Sequence, residues 1–491
     1  MLIEVREKFK IIFKTQEFNS TIWNVADVIF LPFIMLLLTP LFIKLLGTEQ
    51  YGLWMLVNSI LVSIGLVNFG IGDASIRFIS KYRAFSDYDN IFRVINSSLT
   101  VSIVLSLLII SIGNILAFFL ASYNILNIET KYLSVTIISI RIASFLFGLK
   151  LIEQFLLSVF KGFEQYNIAA RISILSKSLL LLGQAGAVIF TRSLENIFIV
   201  SVLIGIVIVI FEVIYVKYKN KGIYLKPRIN KRSFKELFSY GSWAWIQSIL
   251  GVAFGQADRF VVMSLTGPKM LAYYSLATTI AYQIHGVFTT GVSWIFPKVS
   301  RKTERNENIS KLYYKTQLFI IISEFLLMLF LIKFQKYIFL TWLGYETYSQ
   351  SIQFIELFLV FTFFTSLSIV PYFFFLGSNL IKYSALFMFV SVIMSLIFMI
   401  IGYKFTGVPG FAYGKVLSSI ITVPIMLFFL HAKVIDRAKT NGAVYITLLV
   451  LLLSATFYAN IFIVLPLFLI SIFLVKKIYV KYVVHENHAV V

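Results

Sequence analysis

About fourteen apolar runs, each long enough to cross a bilayer as a helix, constrain this chain more than any other feature. They lie at 21–46, 51–73, 91–120, 132–158, 169–191, 195–216, 237–264, 270–297, 312–340, 350–376, 381–403, 408–431, 442–458 and 460–476. Lipid offers backbone N–H and C=O groups no water, so spanning segments are helices or a closed barrel. A barrel would show short strands of alternating polarity, whereas a run such as 200–216 shows no alternation. The pattern predicts an all-α integral membrane protein of about 14 transmembrane helices. Only 13% of the 491 residues are charged. That is about half the share of a soluble domain and excludes soluble, disordered and fibrous classes.

Lysine and arginine set the orientation. With the N-terminus inside, about 30 of the 43 fall in cytoplasmic segments and about 7 in outer loops, a bias that predicts both termini in the cytoplasm. The net charge of +21 is then a topology signal, and no nucleic-acid partner is required. Residues 1–20 are charged and the following run is too long for a signal-peptide core, so no cleavable leader is expected. Val5, Phe9 and Ile12 share a helical face bordered by Arg6, Lys8, Lys10 and Lys14, which fits a short interfacial helix or a plain charged tail. The chain has no cysteine and 4 histidines, two of them (His485 and His488) in the tail, so neither a metal site nor a cofactor is expected.

The longest and most basic cytoplasmic connection, 217–236, separates six runs from eight, as in a duplicated transporter. Leu46-Gly47 followed by Tyr51-Gly52-Leu53-Trp54 is echoed about 220 residues later by Thr266-Gly267 followed by Leu271-Ala272-Tyr273-Tyr274. An even number of spans separates the copies, so the repeat is parallel. The predicted organisation is an N-terminal segment (1–20), an N-lobe (21–216), the linker (217–236), a C-lobe (237–431), two appended helices (432–476) and a tail (477–491). No outer loop is long enough to fold as a domain.

Short motifs in a fixed order carry a resemblance. Leu46-Gly47, Tyr51-Gly52-Leu53-Trp54 and Phe69-Gly70-Ile71-Gly72 with Ser75 and Arg77 open the series. Phe160-Lys161-Gly162-Phe163-Glu164, Tyr166-Asn167 and Arg171 continue it, followed by Asp258-Arg259, Gly267, Tyr273, Phe296-Pro297 and Gly407 with Gly410-Phe411-Ala412. Together they resemble the multidrug/oligosaccharidyl-lipid/polysaccharide exporter superfamily, in its polysaccharide repeat-unit (O-antigen or capsule type) flippase branch. The resemblance implies two pseudo-repeated six-helix lobes around a central cavity that opens alternately to each side. It also implies an undecaprenyl-diphosphate-linked oligosaccharide as substrate, carried to the outer leaflet of a bacterial cytoplasmic (inner) membrane. A flippase of this kind is expected to be a monomer working among membrane lipids beside a polysaccharide polymerase and glycosyltransferases. Peptidoglycan-precursor flippases of the same superfamily carry basic residues in their first two spans. Here the first run has Asp27 and no Lys or Arg before Lys44, which favours the repeat-unit branch.

Ionisable residues at membrane depth are costly and face a cavity or each other. A diphosphate is anionic, and arginine can clamp it bidentately while lysine offers a point charge. The candidates to meet it are Arg141, Lys150, Lys177, Arg259 and Lys415. Arg141 and Lys150 sit half a turn out of phase, so both reach one cavity only if the helix kinks, which Gly148 would allow. Lys150 can instead pair with Glu153, and Arg259 with Asp258. Arg77 either receives the head group at the cytoplasmic side or anchors the span. Asp27, Glu153, Asp258, Glu324 and Glu356 are candidates for proton or sodium coupling, Asp27 foremost, with salt bridging to the bases the other reading. Trp243, Trp245 and Trp342 read as interfacial belt residues. Two other functions stay open. A cation-coupled multidrug exporter of the same superfamily would line its cavity with acids, and a membrane polysaccharide polymerase or ligase would carry a large outer loop.

Overall fold

A computed structural model describes residues 34–65, 70–124, 126, 128–220, 223–228, 230–378, 380–435, 441–455, 470–476 and 478–480, with no strand among them. Its helices are α1 (Ile34–Leu46), α2 (Thr48–Ile64), α3 (Ile71–Ala84), α4 (Tyr88–Tyr123), α5 (Thr130–Gly162), α6 (Tyr166–Thr191), α7 (Leu194–Lys219) and α8 (Lys231–Val292). They continue with α9 (Ile295–Glu304), α10 (Ser310–Leu343), α11 (Tyr345–Ser366), α12 (Ile369–Gly377), α13 (Ile381–Thr406), α14 (Gly410–Leu430) and α15 (Asn441–Ala455). A π-helical turn, His431–Ile435, extends α14. Among the described residues, 9 helical stretches are long and apolar enough to cross a membrane. The chain is an all-α, multi-pass membrane protein. Asp27 and residues 1–20 lie outside the described residues, as does most of the tail.

Two runs depart from the simple one-run, one-helix expectation. The run 51–73 is two helices: α2 stops at Ile64, and α3 restarts after Gly70 in a left-handed conformation (φ 65°). The runs 237–264 and 270–297 are two helices, together labelled α8, that meet at a kink where Gly267 (φ 79°, ψ −176°) leaves helical geometry before Pro268. The run 350–376 breaks at Leu367–Ser368 into α11 and α12. Conversely, α5 passes through Gly148 without interruption, so the kink considered there does not form. Ser106 supports Gly148 from α4, its hydroxyl donating to the Gly148 carbonyl at 2.7 Å.

The sequence echo reappears in the backbone. Positive φ occurs at Gly47 and Gly267, at Ser86 and Asn306, and at Asn124 and Gly344, each pair 220 residues apart. Gly47 and Gly267 also share an extended ψ, a combination that glycine alone enters cheaply.

Contacts divide the chain into two compact units, Met1–Ala272 and Tyr273–Val491. In the first, Ile79, Ile95, Leu156, Val159 and Phe160 form a common core with Ala169 and Val216. In the second, the Tyr274 ring meets Phe358 edge-on at 5.2 Å and Phe354 at 5.8 Å. Outward faces expose Leu107, Phe118 and Val207, while Ser59, Ser98 and Ser144 are buried. Small polar residues inside and large apolar ones outside are what a bundle solvated by lipid requires.

Candidate functional site

In the first unit, α5 presents two opposed faces. Arg141 is exposed on a stripe shared with Ile138 and Phe145, both exposed and apolar. Lys150 and Gln154 are exposed half a turn away. Because α5 is unbroken, the structure does not bring Arg141 and Lys150 to one side.

The Lys150 face continues onto α3. Gly72 carries no side chain, and a Cβ there would lie 3.7 Å from the Gln154 Cγ, so the two helices run close. A shallow cleft between α3, α4 and α5 has Gly72, Ser102 and Gln154 in its wall. On α3, Asp73, Arg77 and Lys81 follow at four-residue spacing and are all exposed. They extend the polar strip to the helix end, where Arg83 donates to the Phe163 carbonyl at 2.6 Å and pairs with Glu164 at 3.1 Å.

Neighbouring helices complete a charged cluster. Lys150 feels the opposite charge of Glu153 on its own helix and the like charge of Lys177 on α6. From α7 comes Glu212, fully buried, with neither carboxylate oxygen hydrogen-bonded among the described residues. The charge that reaches it is that of Glu153. Lys150, a candidate to pair with Glu153, thus lies within electrostatic reach of both Glu153 and Lys177, and Glu212, which was not among the candidates, lies within reach of Glu153. A lone acid inside an otherwise apolar run was the available signal.

The other candidates stand apart. Arg259 on α8 is 8% exposed, and its guanidinium donates at 3.3 Å to both the Ser59 hydroxyl of α2 and the Gln256 side-chain Oε1. Asp258 accepts the Arg259 backbone N–H at 2.9 Å. The bond between these two neighbours is thus backbone to side chain, and the guanidinium turns to α2. Tyr51 also feels the Arg259 charge, and Gly52 packs directly on the Pro268 carbonyl with no room for a side chain. This is a helix junction.

In the second unit, Lys415 of α14 is 1% exposed and donates to the Tyr282 hydroxyl at 2.7 Å. Its ammonium lies over the rings of Tyr282, Phe361 and Phe358 at 5.4, 5.5 and 6.0 Å, a cation held by π faces. Glu324 accepts the Ser366 hydroxyl, and Glu356 accepts the Gln335 amide.

Residues 19–303 match the family described as polysaccharide biosynthesis protein. A Shigella flexneri protein that carries the name O-antigen transporter is 21% identical over 341 residues, 67% of this chain and 77% of that one. Among solved structures, a multidrug resistance MATE family transporter of the MOP superfamily in an inward-facing conformation superposes with a TM-score of 0.70 at 14% identity. The match covers 86% of this chain and 96% of that one. The lipid II flippase MurJ in an inward closed conformation gives a TM-score of 0.63 at 14% identity, over 96% of this chain and 98% of that one. At such identities the structural likeness is one of fold.

Proposed function

The chain belongs to the polysaccharide biosynthesis protein family, and from that premise we propose that it is a transporter that flips lipid-linked oligosaccharides. In its finer form the proposal is that undecaprenyl-diphosphate-linked repeat units pass from the cytoplasmic to the outer leaflet of a bacterial inner membrane by alternating access. The S. flexneri relative named as an O-antigen transporter supports the substrate class, and the fold shared with MurJ suits a carrier of lipid-linked cargo.

One observation carries the residue assignment: Lys150 and Lys177 lie within electrostatic reach of each other at membrane depth, at the end of a polar strip. Glu153 offsets part of this positive charge, and a diphosphate, with two negative charges, can bridge both ammonium groups. Arg77 and Lys81 on the exposed face of α3 would meet the head group first, and Gln154 and Lys150 would receive it next. The prenyl tail would stay in lipid throughout. Arg141, on an apolar stripe, takes the part of a lipid-facing residue whose long stem reaches toward water. Arg259 holds α8 to α2, and Lys415 holds α14 to Tyr282, so both act as positioning residues.

The test is leaflet-resolved measurement of lipid-linked glycans in a deletion strain of the source bacterium. Wild type should clear repeat units that accumulate on the cytoplasmic face. Unchanged glycans in the deletion strain would end the flippase reading.

A further inference from the structure

We propose that the outer stripe of α9 is a docking surface for anionic phospholipid, with a headgroup phosphate among Lys298, Arg301 and Arg305 and acyl chains against Trp294 and Phe296. The inference is independent of the cargo proposed above.

At 10 residues α9 is too short to cross a bilayer, and it has two unlike faces. Ile295 and Val299 are fully buried. Val299 packs against Gly377 at the end of α12, where an added Cβ would lie 2.7 Å from the Val299 Cγ1. This pins α9 beside the end of a span, on the side that the lysine and arginine bias places in the cytoplasm. The opposite stripe runs Trp294, Lys298, Arg301, Arg305, a four-three-four spacing that keeps all of them within about 60° on an ideal helix. All four are exposed. The spacing holds at both ends of the helix, because Trp294 has helical φ and ψ (−59°, −16°) and the Arg305 N–H donates to the Arg301 carbonyl.

The stripe joins rings to cations. The Lys298 ammonium lies 5.5 Å from the centre of the Trp294 ring, so a charge and an indole are held together at one end. Trp294 is 53% exposed and Phe296, beside it, 40%. Exposed rings next to cations at the end of a span suit the boundary where acyl chains give way to phosphates, and suit a soluble anion poorly. Acidic neighbours do not cancel the charge. Glu307 folds back to Lys302 and lies 3.9 Å from Arg305, and exposed Glu304 stands about a quarter-turn off the stripe. With Lys302 included, four cations meet two acids. The repeat did not supply this stripe. At positions 220 residues earlier, buried Ala74 and Phe78 stand where Trp294 and Lys298 do, and Phe85 stands in the place of Arg305.

Tryptophan quenching tests this in the full chain, held in phosphatidylcholine nanodiscs. Part of the lipid is replaced by brominated phosphatidylglycerol or by brominated phosphatidylcholine. Bromine quenches an indole it touches, and the Trp294 signal is the difference between wild type and Trp294→Phe. Phosphatidylglycerol should associate with that site about fivefold more strongly than phosphatidylcholine, the scale of one lysine or arginine at a membrane surface. The preference should weaken as salt is raised. Lys298→Gln, Arg301→Gln and Arg305→Gln together should bring the ratio to about one. If that triple variant does not fold, Arg301→Gln alone should lower the preference by about half or more. Equal quenching of wild type by the two lipids overturns the inference, as does a preference that these variants retain. Absence of Trp294 quenching by either lipid means that the stripe faces water or a protein partner, and overturns it too. A preference abolished by inorganic phosphate but not by chloride at equal ionic strength assigns the stripe to soluble anions, with the same result.

Discussion

α5 and the α11–α12 pair start at corresponding points of the repeat, just after Asn124 and Gly344, yet they diverge in every physical respect. Between Thr130 and Gly162, α5 carries Lys131, Arg141, Lys150, Glu153 and Lys161, runs unbroken and buries 44% of its most apolar window. The stretch Tyr345–Gly377 has no lysine or arginine, breaks at Leu367–Ser368 and buries 78% of the equivalent window. Phe354, Phe358, Phe361, Phe363 and Phe364 fill the second; exposed charge occupies the first. A span packed with rings is immobilised by its neighbours, whereas a span with charges must keep a face open. The turns recur at a 220-residue offset, while the side chains of the two stretches differ.

The largest effect that would sharpen this contrast lies in the ring-filled stretch. Phe358→Ala removes a ring that touches both Tyr274 and Phe361 and should cost about 3–5 kcal/mol, read as a lower thermal midpoint in detergent. A loss under about 1 kcal/mol would mean that this core is loosely packed.

Next comes the charged face. Lys150→Ala with Lys177→Ala should lower flipping by about 100-fold at normal protein level, two charge-assisted contacts at about 1.5 kcal/mol each. Arg141→Ala on the opposite face should change it by less than about twofold. The reverse order of effects would move the head-group path to the other side of α5.

Ser106→Ala tests why α5 stays straight. Loss of its bond to the Gly148 carbonyl should cost about 1 kcal/mol, measured by the shift in unfolding midpoint. No change would assign the straightness to packing alone.

The smallest effect compares two corresponding turns. Asp87 caps α4 by accepting the Asn90 N–H. Its counterpart Glu307 is held below the usual carboxylate range by a hydrogen bond from Lys302, with Arg305 adding to the pull. Its contribution is present above the ordinary carboxylate range and fades as pH falls through the lowered value. The gap in midpoint between wild type and Glu307→Gln should therefore be small at neutral pH and close as the pH falls below the ordinary carboxylate range.

Much of this architecture was legible in residues alone. The run 195–216 became Leu194–Lys219 and 381–403 became Ile381–Thr406, because unbroken apolarity at membrane length has one solution. Gly47 and Gly267 announced the repeat because their backbone needs glycine. The break at Leu367–Ser368 gave no such signal, since the residues there read as helix and tertiary packing decides. Glu212 stood out as an acid in an apolar run, but apolar periodicity does not tell which face of a buried helix turns inward, so its burial was not legible. The ring cage of Lys415 was illegible for another reason: Tyr282 lies 133 residues away in sequence.

The junction between α2 and α8 bears on how the protein is made. The first compact unit extends to Ala272, well past the basic connection at 217–236. Ser59 and Gly52 are covered by Arg259 and Pro268, which leave the ribosome some two hundred residues later. Until then the α2 surface must wait uncovered in the bilayer. A gene split at the linker would yield a first fragment lacking its own last wall, whereas a split beyond Ala272 would not.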